Sequence, residues 1–241
     1  MMKKWVAMGV LCAVTGGVQA ADDLDSIGAL DQGEFRDLSE DLGAALSYKA
    51  IAPAEPLGIT GFDVGIEVSS TALENDTAFN TACSGCDISN LYIPKLHLHK
   101  GLPFNLDVGL MYSSVPNSNI KLTGVELRYA FLEGGVAMPA VALRGTYSKI
   151  SGVDQLDFDT RGLELTVSKG FAMLTPYAGV GTNWVTSTPN VPAPFTLEEE
   201  KFTQSKYYVG ANMNLGLMNI AVEADKTGGA QTISAKLGLR F

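Results

Sequence analysis

The sequence predicts an all-β protein, an antiparallel transmembrane β-barrel of about ten strands, within a range of about eight to twelve, preceded by a short helical segment. Apolar and polar residues alternate over many segments of about 9–11 residues, the length of a strand that crosses a bilayer at a tilt. Hydrophobic residues make up 46% of the chain, yet beyond the amino terminus no apolar run reaches the ~18 residues of a membrane helix. The last segment alternates without a break and ends on an aromatic residue.

Residues 1–20 are predicted to be a secretory signal peptide. Lys3 and Lys4 precede a short apolar run, and Val18 and Ala20 place small residues at a cleavage site before Ala21. Cleavage leaves 15 of the 17 basic residues against 26 acidic ones, a net charge of −11. Such a balance argues against nucleic acid as a partner, because nucleic-acid binding requires basic patches.

Residues 21–58 form a separate amino-terminal helical segment in this interpretation. Asp31 and Glu34 have the spacing of a capping box, and the apolar residues that follow recur at helical spacing: Phe35, Leu38, Leu42, Ala45 and Leu46. The pattern predicts about four helical turns, ended by Pro53 and Pro56. We favour a surface helix at the periplasmic end of the domain over a plug in the barrel lumen. Residues 44–51 could instead form a strand.

Residues 59–241 read as the barrel itself. A first strand from Ile59 is followed by strands predicted at 91–100, 103–114, 119–131, 138–149, 156–169, 174–186, 202–215, 217–225 and 230–241. Turns near Gly101, Gly134, Gly170 and Gly216 are then periplasmic. The connections at 72–90, 114–118, 150–155, 187–201 and 226–229 form the outer loops, which agrees with the short-turn and long-loop ends of outer-membrane barrels.

The carboxyl-terminal strand carries the most specific pattern. Apolar Ile233, Ala235, Leu237, Leu239 and Phe241 alternate with polar or small residues. Here the chain resembles the Gram-negative outer-membrane β-barrel proteins, whose last strand ends in Phe with apolar residues at alternate positions before it. The resemblance implies an outer-membrane location among its lipids, and recognition of Leu237, Leu239 and Phe241 by the barrel assembly machinery. We expect a monomer.

A secreted, lipocalin-like barrel would show the same alternation with the faces reversed. Small soluble barrels expose charge at most outer positions, whereas the polar face here is half Gly, Ala, Ser and Asn. Such small residues suit the interior of a narrow barrel. The sequence therefore favours the membrane barrel.

Two pairs of residues are candidates for special chemistry. Cys83 and Cys86, in the first long outer loop, are predicted to form a disulfide, because exported cysteines are commonly oxidised. His97 and His99 face inward on one strand, but two ligands without a third are weak evidence for a metal. We interpret them as polar lumen residues and predict no metal, no cofactor and no enzyme activity.

Charged residues on the inward face form the remaining candidate site. The acidic members are Asp63, Glu67, Asp107, Glu126, Glu164, Glu223 and Asp225, and the basic members are Lys95, Arg128, Arg144, Lys236 and Arg240. Buried charges must be paired or hydrated, so we predict a charge network that narrows the lumen. The function indicated is a structural barrel or a small porin-like conduit. Surface adhesion through the outer loops is the alternative, with a lipid- or peptide-modifying enzyme less favoured; no ligand is indicated.

Overall fold

The computed structural model describes residues 24, 26–84, 86–114, 120–135, 137–192, 194 and 196–241. The predicted signal peptide and its cleavage site lie outside these residues, as does most of the predicted loop at 114–118.

Ten antiparallel strands form a closed barrel, which confirms the predicted fold class. Each strand pairs with its neighbours in the chain, and the first strand also pairs with the last. The strands are β1 Phe62–Ala72, β2 Asn90–Gly101, β3 Leu106–Ser114, β4 Lys121–Glu133, β5 Ala140–Ser151, β6 Leu156–Ser168, β7 Leu174–Pro189, β8 Glu200–Leu215, β9 Met218–Thr227 and β10 Ala230–Arg240. Pairing of β1 with β10 leaves no free sheet edge.

The two faces of the wall differ as the alternation predicts. Outward side chains are exposed and apolar, such as Ile66, Leu127 and Val209. Exposed aromatic residues flank this band at one end with Tyr92, Tyr112 and Trp184, and at the other with Phe104, Phe131, Phe171 and Phe241. An apolar band between aromatic girdles is the arrangement of a membrane-spanning barrel, and it excludes the lipocalin-like alternative, which requires a polar exterior.

The two ends of the barrel have different connections. We call one the loop end, with connections 73–89, 152–155, 190–199 and 228–229, and the other the turn end, with connections 102–105, 134–139, 169–173 and 216–217. The first loop contains a second helix, α2 (Asp76–Ala82), that the sequence pattern did not predict. No helix in the described part of the chain is long and apolar enough to cross a membrane.

The amino-terminal segment lies inside the barrel. A short 3-10 helix (Ile27–Ala29) precedes α1 (Gln32–Leu46), which begins with the predicted capping box of Asp31 and Glu34. The segment starts beside α2 at the loop end, where the Ser26 amide donates to the Ala82 carbonyl at 3.0 Å. It then runs through the lumen to the turn end, where β1 begins.

Two expectations for this segment are therefore wrong, and the strand left open as an alternative at 44–51 is absent. The helix is enclosed by the wall rather than placed on the periplasmic surface, because its apolar face finds wall and α2 residues to pack against. It ends at Leu46, seven residues before Pro53. Residues 47–61 form no strand, because the neighbouring wall strands already use their main-chain hydrogen bonds on each other.

Candidate functional site

The lumen is the candidate site, and much of it is occupied by the chain itself. We call residues 38–57 the luminal segment. Apart from Glu40, Glu55, Pro56 and Leu57, which are partly exposed, every residue in it is buried. Ile51 has φ of 44°, a left-handed conformation that is unusual for a β-branched residue. Such a backbone persists only where the surrounding contacts hold it, which indicates tight packing.

Near the loop end the contacts are mainly apolar. Phe35, Leu38 and Leu42 of α1 form one cluster with Phe79 of α2 and with wall residues that include Phe158, Val185 and Phe202. All of these side chains are at most 9% exposed. We call this cluster the cap core, because it joins α1, α2 and the wall into a single packed layer.

Polar contacts fix the orientation of α1 within this layer. The Ser39 and Ser187 hydroxyls lie 2.8 Å apart, and Gln204 donates to the Glu40 carbonyl at 2.9 Å. Asp41 accepts from the backbone amides of Glu74 and Asn75 at 3.0 and 2.8 Å. Burial raises the pKa of Asp41, and the two amides oppose that effect without cancelling it.

Toward the turn end the luminal segment is held by cations of the wall. Arg128 donates to the Pro53 carbonyl at 2.7 Å, Arg144 to the Ala52 carbonyl at 3.3 Å, and Lys206 to the Tyr48 carbonyl at 3.0 Å. These bonds satisfy main-chain acceptors of an extended chain that has no sheet partner.

Two side chains of the luminal segment also reach the wall. Lys49 forms a fully buried ion pair with Asp225 at 2.9 Å. The Tyr48 hydroxyl lies 3.2 Å from His99 Nε2, and its ring packs edge-on against His97. The segment is therefore bound through both its backbone and its side chains.

The twelve residues of the predicted charge network all project into the lumen, and eleven of them are buried, with Arg240 partly exposed. Most form ion pairs between neighbouring strands: Asp63 with Lys236 at 3.2 Å and with Arg240 at 3.0 Å, Asp107 with Arg128 at 2.7 Å, and Arg144 with Glu126 at 3.4 Å and with Glu164 at 3.0 Å. Glu67 pairs with Lys95 at 3.1 Å and also contacts His97.

Glu223 is buried, but it takes part in none of the ion pairs seen among the described residues. The network is thus a set of small groups around the wall rather than a single chain of charges.

Two buried lysines were missed by sequence reasoning. Lys206 forms an ion pair with Glu164 at 2.7 Å, and it has the same strand parity as inward-facing Tyr208, so extending the alternation by one step would have found it. Lys49 lies outside any strand, and no periodic signal identifies it. The histidines are more closely involved than expected, because His99 Nε2 also lies 3.7 Å from Glu126.

The predicted disulfide is present between Cys83 and Cys86, directly after α2. Cys83 is buried against the cap core. The bridge therefore closes a short loop next to the point where the amino-terminal segment meets α2. Within the described residues, no group of three or more His, Cys, Asp or Glu side chains has the geometry to hold a metal ion.

Comparison with known proteins finds likeness only at the level of fold. No family model and no curated protein matches the chain. Among solved structures, it is similar to the amino-terminal β-barrel domain of Pseudomonas aeruginosa OprF, with 13% identity, a TM-score of 0.38, and coverage of 74% of this chain and 97% of that one.

Two further structures resemble it to a similar degree. One is the KdgM porin in complex with oligogalacturonate, with 6% identity, a TM-score of 0.40, and coverage of 74% and 99%. The other is Yersinia pestis Ail, the attachment invasion locus protein, in complex with a heparin analogue, with 13% identity, a TM-score of 0.31, and coverage of 75% and 97%. At such low identities and TM-scores, we draw no functional conclusion from these likenesses.

Proposed function

We propose that the protein is an outer-membrane barrel closed by its own amino-terminal segment, and that it serves as a structural scaffold for a folded cap on the cell surface. The cap consists of α1 and of the loop at 73–89 that contains α2. The observation that carries this proposal is the buried luminal segment, bound by Arg128, Arg144 and Lys206 through its carbonyls. A lumen filled in this way leaves little room for a permanent channel, since barrels of this size are already narrow.

The loop end faces outward in this proposal. Outer-membrane barrels have short periplasmic turns and longer outer loops, and the wall begins and ends at the turn end, where Phe62 and Phe241 exchange main-chain hydrogen bonds. A cysteine at exposed Asp154 (Asp154→Cys) should react with a membrane-impermeant maleimide on intact cells. A cysteine at exposed Gly135 (Gly135→Cys) should react only after the outer membrane is permeabilised. The reverse pattern would contradict the orientation.

The carboxyl-terminal strand is the proposed signal for the barrel assembly machinery, and its last residue lies at the barrel seam. Phe241 stacks on Phe62 with ring centroids 6.0 Å apart, at the seam between the first and last strands. Deleting Phe241 removes its two main-chain hydrogen bonds with Phe62 and the last residue of the proposed assembly signal. We therefore expect the protein to be exported but not assembled into the outer membrane. Normal heat-modifiable barrel in the outer membranes of the truncated mutant would defeat this expectation.

A gated conduit is the second candidate function. The strained backbone at Ile51 favours it, because strain of this kind occurs at segments that switch between states. Movement of the luminal segment would expose the paired charges of the wall and open a polar path.

The conductance of a barrel in which α1 is cross-linked to the wall distinguishes the two candidate functions. The Ser39 and Ser187 hydroxyls are 2.8 Å apart, so a Ser39→Cys/Ser187→Cys disulfide should fix α1 to the wall. A permanently closed scaffold shows no conductance in planar bilayers whether the staple is oxidised or reduced. A conduit conducts only after reduction. The reductant also reduces the native Cys83–Cys86 disulfide. The Ser187→Cys single variant, treated with the same reductant, shows how much of any change in conductance comes from that reduction.

A further inference from the structure

The outward face of the wall carries an unusual group of cations where the apolar band meets the loop end. Lys121 of β4, Lys149 of β5 and Arg161 of β6 all face outward and are exposed. The register places Lys149 opposite Thr123 and Asp159, and Arg161 opposite Tyr147. Lys149 is therefore the diagonal neighbour of both other cations, at the ~7–8 Å spacing of such pairs.

These three cations are poorly neutralised by the protein. The side chain of Arg161 is 72% exposed, and its one ion pair, with Asp159, is long at 3.7 Å. Lys121 and Lys149 form none of the ion pairs seen in the described part of the chain. Two other acidic residues lie nearby: Asp157 accepts from Asn190 at 2.9 Å, and Asp154 is in the adjoining loop. Asp157 is also a diagonal neighbour of Lys149, so three cations face two carboxylates on the wall, which leaves a small local excess of positive charge on an otherwise acidic protein.

An apolar groove on the membrane-facing surface begins next to Arg161, the member of this group on β6, and extends toward β8. It has a volume of about 410 Å³, and its lining includes Leu143, Leu163, Leu165, Val180, Thr182 and Tyr207. Leu163 is two residues from Arg161 along β6 and is paired with Gly145 of β5. A side chain built at Gly145 would meet nothing within 4 Å, so the wall is open at this point.

Aromatic residues border the place where the groove meets the cations. Arg161 is flanked by Tyr147 on one side and by Trp184 on the other, and Trp184 is 44% exposed. Tyr and Trp are suited to the level of lipid headgroups, because their rings combine apolar surface with a polar atom.

We propose that this surface binds one phosphate-bearing lipid, with its phosphate on Lys121, Lys149 and Arg161 and an acyl chain in the groove beside Gly145. Charge complementarity selects an anionic headgroup, and the apolar groove selects a lipid over a free phosphate ion. The proposal depends on the membrane insertion described above but not on what fills the lumen.

Binding of a phosphorylated glycolipid tests this proposal. Barrel purified in neutral detergent is titrated with fluorescent lipid A and, separately, with dephosphorylated lipid A. We expect the phosphorylated probe to bind more tightly. The Lys121→Gln/Lys149→Gln/Arg161→Gln variant should bind lipid A on the order of tenfold more weakly or worse, since each basic residue near a membrane surface contributes substantially to anionic lipid binding.

Two further variants separate the parts of the site. Gly145→Leu adds a side chain opposite Leu163, at the edge of the groove, and should obstruct the acyl chain and weaken lipid A binding while all three cations remain. Lys201→Gln removes an outward cation elsewhere on the loop end, away from the groove, and should leave binding nearly unchanged. Heat-modifiable migration confirms that each variant is folded. If the triple variant does not assemble, the Lys149→Gln single variant replaces it in the binding measurement, and it should also bind lipid A more weakly than the wild type.

Several outcomes would overturn the proposal. Unchanged affinity in the triple variant would exclude the cations, and unchanged affinity in Gly145→Leu would exclude the groove. Equal losses in Lys149→Gln and the Lys201→Gln control would indicate only general surface charge. Full competition by millimolar inorganic phosphate would indicate an anion site rather than a lipid site. None of these results would bear on the conductance test of the lumen.

Discussion

Near the loop end, the barrel holds an apolar core like that of a soluble domain, whereas toward the turn end the same segment passes among buried charges. Leu38 and Phe79 represent the first region, where packing joins two helices to the wall. Arg144 represents the second, where one guanidinium contacts Glu126, Glu164 and the Ala52 carbonyl. The two regions therefore have different roles. The cap core holds the cap in place, and the charged region accommodates a backbone that has no sheet partner.

The largest expected effect is loss of Arg144 from the charged region. Arg144→Ala leaves Glu126 and part of the charge of Glu164 uncompensated, which typically costs about 3–5 kcal/mol, less where lumen water can hydrate them. We expect a lower thermal midpoint of the detergent-solubilised barrel. Any conductance that exists should rise, because the Ala52 carbonyl also loses its donor.

A double-mutant cycle with Glu126 sharpens this prediction. Removing Glu126 together with Arg144 should restore part of the lost stability, although Glu164 keeps its pair with Lys206 at 2.7 Å. If the losses of the two single variants simply add in the double variant, Glu126 and Arg144 are not coupled. An unchanged thermal midpoint of the Arg144→Ala variant would show that Arg144 is not part of the charge network.

The next largest effect is a cavity in the cap core. Leu38 is fully buried, and Leu→Ala substitutions in cores cost about 2–5 kcal/mol. Leu38→Ala should loosen α1 and the loop at 73–89 while the wall stays folded. Limited proteolysis should then cut the cap faster, with no change in heat-modifiable migration.

Leu127→Ala provides a matched control, because Leu127 is 54% exposed on the outward face and its truncation leaves no internal cavity. Equal protease sensitivity in the two variants would mean that the cap core does not hold the cap in place.

Loss of the disulfide should have a smaller effect. Closing so short a loop as Cys83–Cys86 stabilises by roughly 2 kcal/mol or less on chain-entropy grounds. The Cys83→Ser/Cys86→Ser variant should show faster proteolysis within 73–89 and an unchanged thermal midpoint of the wall. A large drop in that midpoint would show that the cap and the wall unfold as one unit.

The smallest effect concerns pH and Asp41. Because burial raises the pKa of Asp41 above its ordinary value of 3.8, the folded cap binds the proton more tightly than the unfolded chain does. The stability that this group contributes is therefore full below about pH 4 and declines as pH rises through the raised pKa.

Proteolysis of the cap at increasing pH, with a protease of constant activity over the range, should show this decline. Asp41→Asn cannot titrate and should flatten the profile. An identical profile in the wild type and Asp41→Asn would exclude Asp41 as its cause.

The wall could be predicted closely from the sequence because its signal is local. Alternate residues of a strand face opposite sides, so the apolar and charged sets of β1 to β10 separate without knowledge of the partners. The short turns and the inward position of Glu126, Arg128 and Arg144 follow from the same rule. The limits of individual strands were less certain: β7 continues to Pro189, three residues beyond its predicted end.

The amino-terminal segment shows where such local reasoning ended. The capping box and the helical spacing of Phe35, Leu38 and Leu42 determined that α1 forms, but an apolar face alone does not say what covers it. Only the closed barrel decided that, by offering α2, Phe158 and Phe202 as packing partners inside the wall. Lys49 likewise has no partner in its own neighbourhood of the chain, and its ion pair with Asp225 spans 176 residues. The sequence by itself determined which faces are apolar or charged, because those faces repeat over a few residues. The tertiary structure alone decided what fills the lumen, because that depends on side chains brought together from distant parts of the chain.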